Sequence, residues 1–419
     1  MNKRVLVLAT TAALMLLACS KEAPPPPAAV APPPTPPLTV KLGHAAPLTG
    51  PQAHLGKDNE NGARLAIEDA NAQKLKIGGR DVVFELMGED DQADPKQGTL
   101  VAQKFVDAKV NGVIGHLNSG TTIPASKIYS DASMPQVSPS ATNPQYTLQG
   151  FKTAFRVMAN DVQQGKVLGD YAAKQLGAKK IAIIDDKTAY GEGLAKEFKK
   201  AAEAGGVKVA AEEHTDDKSV DFAAILTKVK AKRPDLVFYG GMDAQAGPLA
   251  AQMKKLGVKA KLLMGDGGCT TEFPKLAGDA AEGSYCSLPG VPLDKMSGGT
   301  AFQARYKAKF NTDIQLYAPY SYDAAMVIIE AMKRANSVEP AKYLAELPKT
   351  AYSGLTSKIS FDEKGDVKDG AVTLYQFKAG NKEPLETVGG APAEPAAAAT
   401  PAAPAAASAP APAQPAEKK

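Results

Sequence analysis

The sequence predicts an α/β fold with two similar lobes, each built on a doubly wound parallel sheet. From Leu38 onward, short apolar runs alternate with amphipathic helix patterns. Alternation of this regularity is typical of parallel sheets with helices on both faces. The alternation restarts near Asp161, so the chain contains two successive series of strands and helices. About 350 residues separate the two low-complexity ends, which is enough for two lobes of ordinary size.

The first series begins with a strand pattern at Val40 and Leu42. The apolar residues of the next helix recur every three or four positions, as in Ala63, Ala66, Ile67 and Ala70. A strand over Val82–Leu86 precedes Asp94-Pro95, where a capping side chain stands before a proline at the first helical position. Strands near 110–115 and 134–138 flank a helix that begins around Thr121.

The second series begins with a helix that Asp161 is predicted to cap and Gly177 to end. Four strands follow with helices between them, and the stretch 300–335 adds further helices. These strands are predicted over 181–184, 207–211, 236–239 and 262–264.

Residues 1–18 have the pattern of a secretory signal peptide. Asn2, Lys3 and Arg4 precede an apolar run that is shorter than the roughly 20 residues needed to cross a bilayer. The segment Leu16-Leu17-Ala18-Cys19 resembles the bacterial lipobox. That resemblance implies a periplasmic protein held to a membrane by a lipid on Cys19. The alternative is an ordinary signal peptide with an incidental cysteine.

Residues 19–37 and 391–419 are rich in proline and alanine. Such segments cannot bury enough apolar surface to fold. We expect the first to be a tether between lipid and lobes, and the second to be a disordered tail.

The composition argues against several kinds of partner. The chain has 49 basic and 45 acidic residues, a formal net charge of +4, and no tryptophan. The charges are interspersed, and no basic block with aromatic residues predicts nucleic-acid binding. The absence of tryptophan weakens a sugar-binding interpretation.

If Cys19 carries the lipid, Cys269 and Cys286 remain as one pair of cysteines. In an oxidising compartment such a pair predicts a disulfide, which at this loop length stabilises a protein by roughly 3 kcal/mol. Two free buried thiols are the alternative. A zinc site is disfavoured because no histidine or further cysteine stands at ligand spacing.

Polar loops follow several predicted strands, where parallel sheets bind their ligands. The loop 116–122 contains hydroxyls and a glycine before a helix, whose free N–H groups suit a carboxylate, and the loop 138–142 is similar. Simple helix capping is the alternative for both loops. Asp266 lies between glycines at another strand end, where it can accept from an ammonium group or serve as a turn residue.

Between residues 38 and 380 the chain resembles the leucine/isoleucine/valine-binding proteins of bacterial ABC importers. The matching stretches agree in order and spacing, and they include PLTGPQAHLGKD (47–58), DDQADPKQ (90–97), VIGHLNSGTTIPAS (113–126), SPSATNP (138–144), DDKTAYGEGLA (185–195), DLVFYGG (235–241) and FDEKGD (361–366). The resemblance implies a type I periplasmic-binding fold, in which two lobes joined by a three-crossover hinge close over the ligand. By that likeness the first lobe is 38–158 with 290–355, and the second is 159–289 with 356–385.

The resemblance also implies which residues hold an amino acid. Ser119 and Thr142, with backbone groups around Ser140 and Ala141, correspond to the groups that hold the α-carboxylate and help with the α-amino group. Tyr190 corresponds to a contact from the second lobe.

Other positions depart from close relatives. Asp266 stands where leucine-binding members have a glutamate that pairs with the ammonium. Leu55 and Met242 stand where close relatives have tyrosines in the side-chain pocket, and both suit an aliphatic ligand. Ala93 and Asn118 replace a disulfide pair of those relatives. In DDQADPKQ, we expect structural capping rather than a ligand or metal contact.

The implied function is the periplasmic solute-binding subunit of an ABC importer, which binds a small amino acid, with Leu, Ile or Val favoured. Its expected partners are an ABC permease and the ATPase subunits. We expect a monomer with no cofactor, no metal and no nucleic-acid partner, which meets the membrane only through its lipid. The alternatives are another small carboxylate or amide solute, or an envelope lipoprotein that acts on a cell-wall synthase.

An enzyme is disfavoured. The chain has four histidines, and His116, the one beside the proposed pocket, has no catalytic partner in the resemblance. No phosphate-binding loop of the G-x-x-x-x-G-K-[ST] type is present.

Overall fold

The computed structural model describes residues 36–390. The predictions for the signal peptide, the lipid on Cys19, the tether up to residue 35 and the 391–419 tail lie outside the described residues. Within the described range, no helix combines the length and the apolar character that a membrane span requires.

The first series of elements forms a six-stranded sheet with its helices. The elements are β1 (Leu38–Ala46), α1 (Ala53–Ala72), β2 (Lys76–Ile77), β3 (Arg80–Asp90), α2 (Pro95–Asp107), β4 (Val113–Gly115), α3 (Ser119–Asp131), β5 (Gln136–Ser138), α4 (Gln145–Leu148) and β6 (Ala154–Arg156). The strand order is β2-β3-β1-β4-β5-β6, and all pairings are parallel except that of β2 with β3.

The second series of elements forms the parallel strands of a second sheet and the helices between them. Its elements are α5 (Asp161–Lys174), β7 (Lys180–Asp185), α6 (Ala189–Ala204), β8 (Lys208–His214), α7 (Ala223–Lys232), β9 (Leu236–Gly240), α8 (Asp243–Leu256), β10 (Lys261–Met264), α9 (Phe273–Ala277) and β11 (Tyr285–Pro289). Short 3-10 turns cover Asp266–Gly268 and Gly278–Ala281.

The remaining residues return to both sheets. They form α10 (Gly299–Phe310), α11 (Ala318–Ala335), α12 (Pro340–Tyr343), β12 (Tyr352–Ser353), β13 (Lys358–Ile359), β14 (Val372–Lys378) and β15 (Asn381–Val388), with 3-10 turns at Leu293–Lys295 and Leu344–Lys349. Strands β14 and β15 complete a seven-stranded sheet of order β15-β14-β11-β10-β9-β7-β8. This sheet is parallel from β8 to β11, and β14 and β15 join its edge antiparallel.

Alternating residues of β1 pack against helices on opposite faces of the first sheet. Ala45 belongs to an apolar cluster with Phe105 of α2 and Tyr129 of α3. Leu42 belongs to the main core with residues of α1 and α11, because successive side chains of a strand point to opposite faces. The chain passes between the sheets after β6, after β11 and before β14, so the predicted α/β fold with three crossovers is confirmed.

One local prediction is wrong. Asn160, not Asp161, caps α5, and its side-chain oxygen accepts from the backbone N–H groups of Val162 at 3.1 Å and Gln163 at 3.3 Å. Asp161 is the first residue of the helix, and its carboxyl group makes no capping bond. The predicted cap Asp94 is confirmed, since it accepts from the N–H groups of Lys96 and Gln97.

Candidate ligand-binding site

The predicted binding residues lie in loops after the carboxyl ends of strands in both sheets, where parallel sheets bind ligands. Ser119 follows β4, residues 140–142 follow β5, Tyr190 follows β7, Met242 follows β9 and Asp266 follows β10. Each is at most 5 % exposed to solvent. The predicted binding residues are therefore buried at the strand ends of both sheets.

Internal hydrogen bonds shape the loop after β5. The Ser138 hydroxyl donates to the carbonyl of His116 at 3.0 Å and accepts from the N–H of Ala141 at 2.9 Å. Asn59 of α1 donates from Nδ2 to the Ser140 hydroxyl oxygen at 3.1 Å. The Ser140 proton is therefore free to donate elsewhere.

Ser119 and Thr142 place two hydroxyls next to each other in the fold. The Ser119 Oγ accepts from the N–H of Asn143 at 3.2 Å, so it reaches the residue after Thr142. The Thr142 hydroxyl is fully buried and has no hydrogen-bond partner among residues 36–390. A buried polar group without a partner costs about 1–3 kcal/mol, so this hydroxyl is suited to contact a bound molecule.

Asp266 and Tyr190 are in direct contact. The Tyr190 hydroxyl donates to Asp266 Oδ1 at 2.8 Å and accepts from the N–H of Gly267 at 2.9 Å. Burial raises the pKa of Asp266, and hydrogen bonds from Gln164, Tyr317 and Tyr190 offset part of that rise.

Gln164 and Tyr317 are site residues that the sequence analysis missed. Gln164 Nε2 donates to Asp266 Oδ1 at 2.9 Å, and the Tyr317 hydroxyl donates to Oδ2 at 2.8 Å. Both residues are far from Asp266 in sequence, so no local sequence pattern indicated that they contact it. The one available signal for Gln164 was a polar residue in the first turn of a helix that begins beside the first crossover.

Asp58 of α1 holds Tyr317 in position. Its fully buried carboxylate accepts from the backbone N–H groups of residues 315–318 at 2.6 to 3.0 Å, and from the Tyr306 hydroxyl at 3.1 Å. The segment that leads into α11 and bears Tyr317 is thereby tied to α1.

Leu55 and Met242 lie on facing segments. Their neighbours His54 and Asp243 meet, with His54 Nε2 2.8 Å from Asp243 Oδ2. Burial lowers the pKa of His54, but the hydrogen bond and charge of Asp243 outweigh it and raise the pKa above its ordinary value. Leu55 is fully buried and Met242 nearly so, which keeps this side of the site apolar.

Other contacts also cross from the first sheet's elements to those of the second. Asn143 Nδ2 donates to the carbonyl of Ala189 at 2.5 Å. Tyr317, which directly precedes α11 on the first sheet, donates from its hydroxyl to Asp266. Together with the burial of the site, these contacts describe a closed cleft. A ligand can enter only if the two sheets separate.

The cysteines and the acidic segment have structural positions. Cys269 and Cys286 are joined by a disulfide that links the loop after Asp266 to β11. In DDQADPKQ, Asp90 accepts from the N–H of Leu48, and Asp91 Oδ2 lies 2.8 Å from His116 Nδ1, at hydrogen-bond distance. No group of three or more His, Cys, Asp or Glu side chains within residues 36–390 is placed to bind a metal ion.

The sequence of residues 39–382 matches a family model described as periplasmic binding protein. The chain belongs to the periplasmic binding protein family. This binding protein is 38% identical to "Leu/Ile/Val-binding protein homolog 1" of Brucella abortus (strain 2308), over 81% of this chain and 91% of that protein. It is 36% identical to the "Leucine-, isoleucine-, valine-, threonine-, and alanine-binding protein" of Pseudomonas aeruginosa, over 81% and 90% of the two chains.

Solved structures share the fold of this binding protein. The branched-chain amino acid transporter substrate-binding protein LivJ of Streptococcus pneumoniae, in complex with isoleucine, superposes with a TM-score of 0.76 at 28% identity. The alignment covers 84% of this chain and 99% of that one. A leucine-binding protein, LivK, of Thermotoga maritima gives a TM-score of 0.77 at 27% identity, over 83% and 98% of the chains.

Proposed function

We propose that this binding protein is the periplasmic solute-binding subunit of an ABC importer and that it binds a small amino acid, with Leu, Ile or Val favoured. The carrying observation is the closed, buried cleft with complementary polar groups. The hydroxyls of Ser119 and Thr142 follow strands of the first sheet, and the carboxyl group of Asp266 follows a strand of the second, all of them buried. Hydroxyl donors suit the carboxylate of an amino acid zwitterion, and a carboxyl acceptor suits its ammonium group.

The apolar side of the cleft supports an aliphatic ligand. Leu55 and Met242 are both buried there, and a methionine side chain adapts to ligands of different shape. The names of the relatives support the same ligand class, and the Pseudomonas protein's name also includes threonine and alanine. Another small carboxylate or amide solute is the competing proposal for the same site.

The proposal includes a membrane anchor and transporter partners for the protein. A lipid on Cys19 anchors it to a membrane, and the closed, monomeric form docks on a permease whose separate ATPase subunits supply the energy. We propose no enzymatic activity for it. The residues that contact the ligand in this proposal are Ser119, Ser140, Ala141, Thr142, Tyr190, Asp266, Leu55 and Met242.

Calorimetric titration of the full chain with each common amino acid tests the function. The protein is first unfolded and refolded to remove carried-over ligand. We expect Leu, Ile or Val to bind with a Kd of about 1 μM or below, equivalent to about −8 kcal/mol. Thr142→Val, which keeps the size of the side chain and removes its hydroxyl, is expected to weaken that binding by about tenfold or more.

Binding of another amino acid with similar affinity would keep the transport role and change the ligand. If no amino acid binds, the proposed ligand class is wrong. Binding to a cell-wall synthase without any small ligand would then favour the envelope role.

A further inference from the structure

His54 and Asp243 join elements of the two sheets beside the cleft. His54 lies in the first turn of α1, which packs against β1 and β3 of the first sheet. Asp243 is the first residue of α8, in the second series of elements. His54 Nε2 lies 2.8 Å from Asp243 Oδ2. The side chain of His54 is 24 % exposed and that of Asp243 is fully buried, so the histidine can exchange protons with solvent from the closed form.

The Asp243 carboxyl group is buried where a cation stabilises it. Among residues 36–390, the basic side chain that pairs with it is His54, and the Thr270 hydroxyl also donates to its Oδ2 at 2.5 Å. The hydroxyl supplies a donor but no charge, and a buried carboxylate without a cation is costly. Separation of the two sheets breaks the contact with His54 and lets water reach Asp243. The contact therefore belongs to the closed form.

Acidic groups of the second series favour the protonated form of His54. Burial lowers the pKa of His54, but the hydrogen bond and charge of Asp243, together with the charge of Glu272, raise it above the ordinary value. Glu272 directly precedes α9, so both acidic neighbours lie across the cleft from α1. His54 loses both neighbours when the sheets separate, and its pKa then returns towards the ordinary value.

The other charged side chains near the pair are engaged with their own partners. Lys57 of α1 donates to a glutamate of the same helix at 3.2 Å, and Asp58 accepts from the backbone N–H groups that precede α11. Lys275 of α9 donates to Glu272 at 2.6 Å. This last contact weakens the attraction between Glu272 and the histidine, so Asp243 is the principal acidic partner.

We propose that His54 and Asp243 form a pH-sensitive latch across the cleft, in which protonation of His54 favours the closed form and raises the affinity for the ligand. This proposal rests on the proposed function, because the latch acts through closure over a bound solute. His54 is a positioning residue in it, since it acts through Asp243 and α8 rather than through a contact with the ligand.

The sign of the pH dependence follows from linkage between protonation and closure. The pKa of His54 is higher in the closed form than in the open form, so closure takes up protons. The contribution of the latch is fully present below the ordinary histidine pKa of about 6.5, and it is lost as the pH rises through the higher pKa of the closed form. The gain in ligand affinity is therefore greatest in mildly acidic solution.

A second histidine–aspartate pair provides a matched control within one sheet. His214 Nδ1 lies 2.8 Å from Asp185 Oδ2, and the two residues are directly paired on the adjacent strands β8 and β7. Separation of the two sheets leaves this pair intact. His214→Gln therefore removes a contact of the same length and chemistry that has no part in closure.

The test titrates L-leucine, or the amino acid that binds most tightly in the titration above, into the full-length protein by calorimetry at about pH 5.5 and about pH 8.5. The variants are His54→Gln, Asp243→Asn, their combination, and His214→Gln. Carboxyl groups of the cleft also titrate, because burial raises the pKa of Asp161 to about 8 and raises the pKa of Asp266. These titrations are common to all the proteins and cancel in the ratio of wild-type to variant affinity.

We expect the wild-type protein to bind the amino acid about fivefold or more tightly than His54→Gln at the acidic pH, and within about twofold of it at the alkaline pH. Asp243→Asn should show the same pattern, and the double variant should lose no more than either single variant, because both changes remove one contact. His214→Gln should follow the wild-type protein at both pH values. Near-normal binding of His54→Gln at the alkaline pH shows that this variant is folded.

A ratio of wild-type to His54→Gln affinity that is equal at the two pH values, or larger at the alkaline pH, would overturn the latch. The same pH-dependent ratio in His214→Gln would also overturn it, because that pair does not span the cleft. Both results leave the proposed function intact. A wild-type protein that binds no amino acid at either pH would refute the proposed function and the latch together.

Discussion

Replacing Arg156 by alanine is expected to lower the free energy of unfolding by about 3–5 kcal/mol. Arg156 is fully buried at the end of β6, where the chain first crosses between the sheets. Its Nε donates to Asp366 Oδ1 at 2.7 Å, and its Nη1 donates to the carbonyls of Ala141 at 2.7 Å and Asn143 at 3.0 Å. Alanine removes the cationic partner of the Asp366 carboxylate, which within the described chain keeps only the donors of Thr147 and Asn160, and it leaves the carbonyl of Ala141 without its donor.

Urea denaturation of the wild type and the variants measures this loss. Arg156→Lys keeps the charge but has no planar fork, so we expect an intermediate loss. Lys127→Ala removes an exposed ion pair with Asp131 and is the matched surface control, with an expected change below about 1 kcal/mol. A loss below about 1 kcal/mol for Arg156→Ala contradicts the proposed importance of this contact for the crossover.

Replacing Asp58 by alanine is expected to cost about 3 kcal/mol or more of stability and to weaken ligand binding as well. The carboxylate holds the four backbone N–H groups of residues 315–318, and each buried donor left unpaired costs about 1–3 kcal/mol before the loop relaxes. The loop bears Tyr317, so its release also removes a donor from Asp266.

Urea denaturation and leucine calorimetry on the same samples separate the two effects of the Asp58 change. Asp58→Asn keeps one acceptor oxygen and should lie between the wild type and alanine. Unchanged stability together with unchanged affinity would show that α11 begins correctly without this anchor.

The elements with a periodic apolar face could be predicted from the sequence. Helix α1 shows its buried face through Ala63, Ala66 and Ala70, and Asp94 marks the start of α2, because both signals are local. The antiparallel edge strands β14 and β15 were not predicted. Their pairing depends on β11, which is far away in sequence.

The site could be predicted only where residues share one loop or where the family resemblance names them. Ser119 and Thr142 were predicted in this way. Tyr317 and Gln164 reach Asp266 from sequence separations of 51 and 102 residues, and no local pattern reports such contacts. Asp161 was misassigned because Asn160 and Asp161 are both good caps, and only the backbone geometry shows which of them precedes the helix.

A crystal structure of the refolded protein with leucine tests the central claim most directly. We expect leucine in the buried cleft, with its carboxylate about 2.7–3.2 Å from the hydroxyls of Ser119 and Thr142 and its ammonium beside Asp266. Its side chain should lie between Leu55 and Met242. Leucine bound outside this cleft, or bound in the cleft with its carboxylate facing Asp266, would contradict the proposed function.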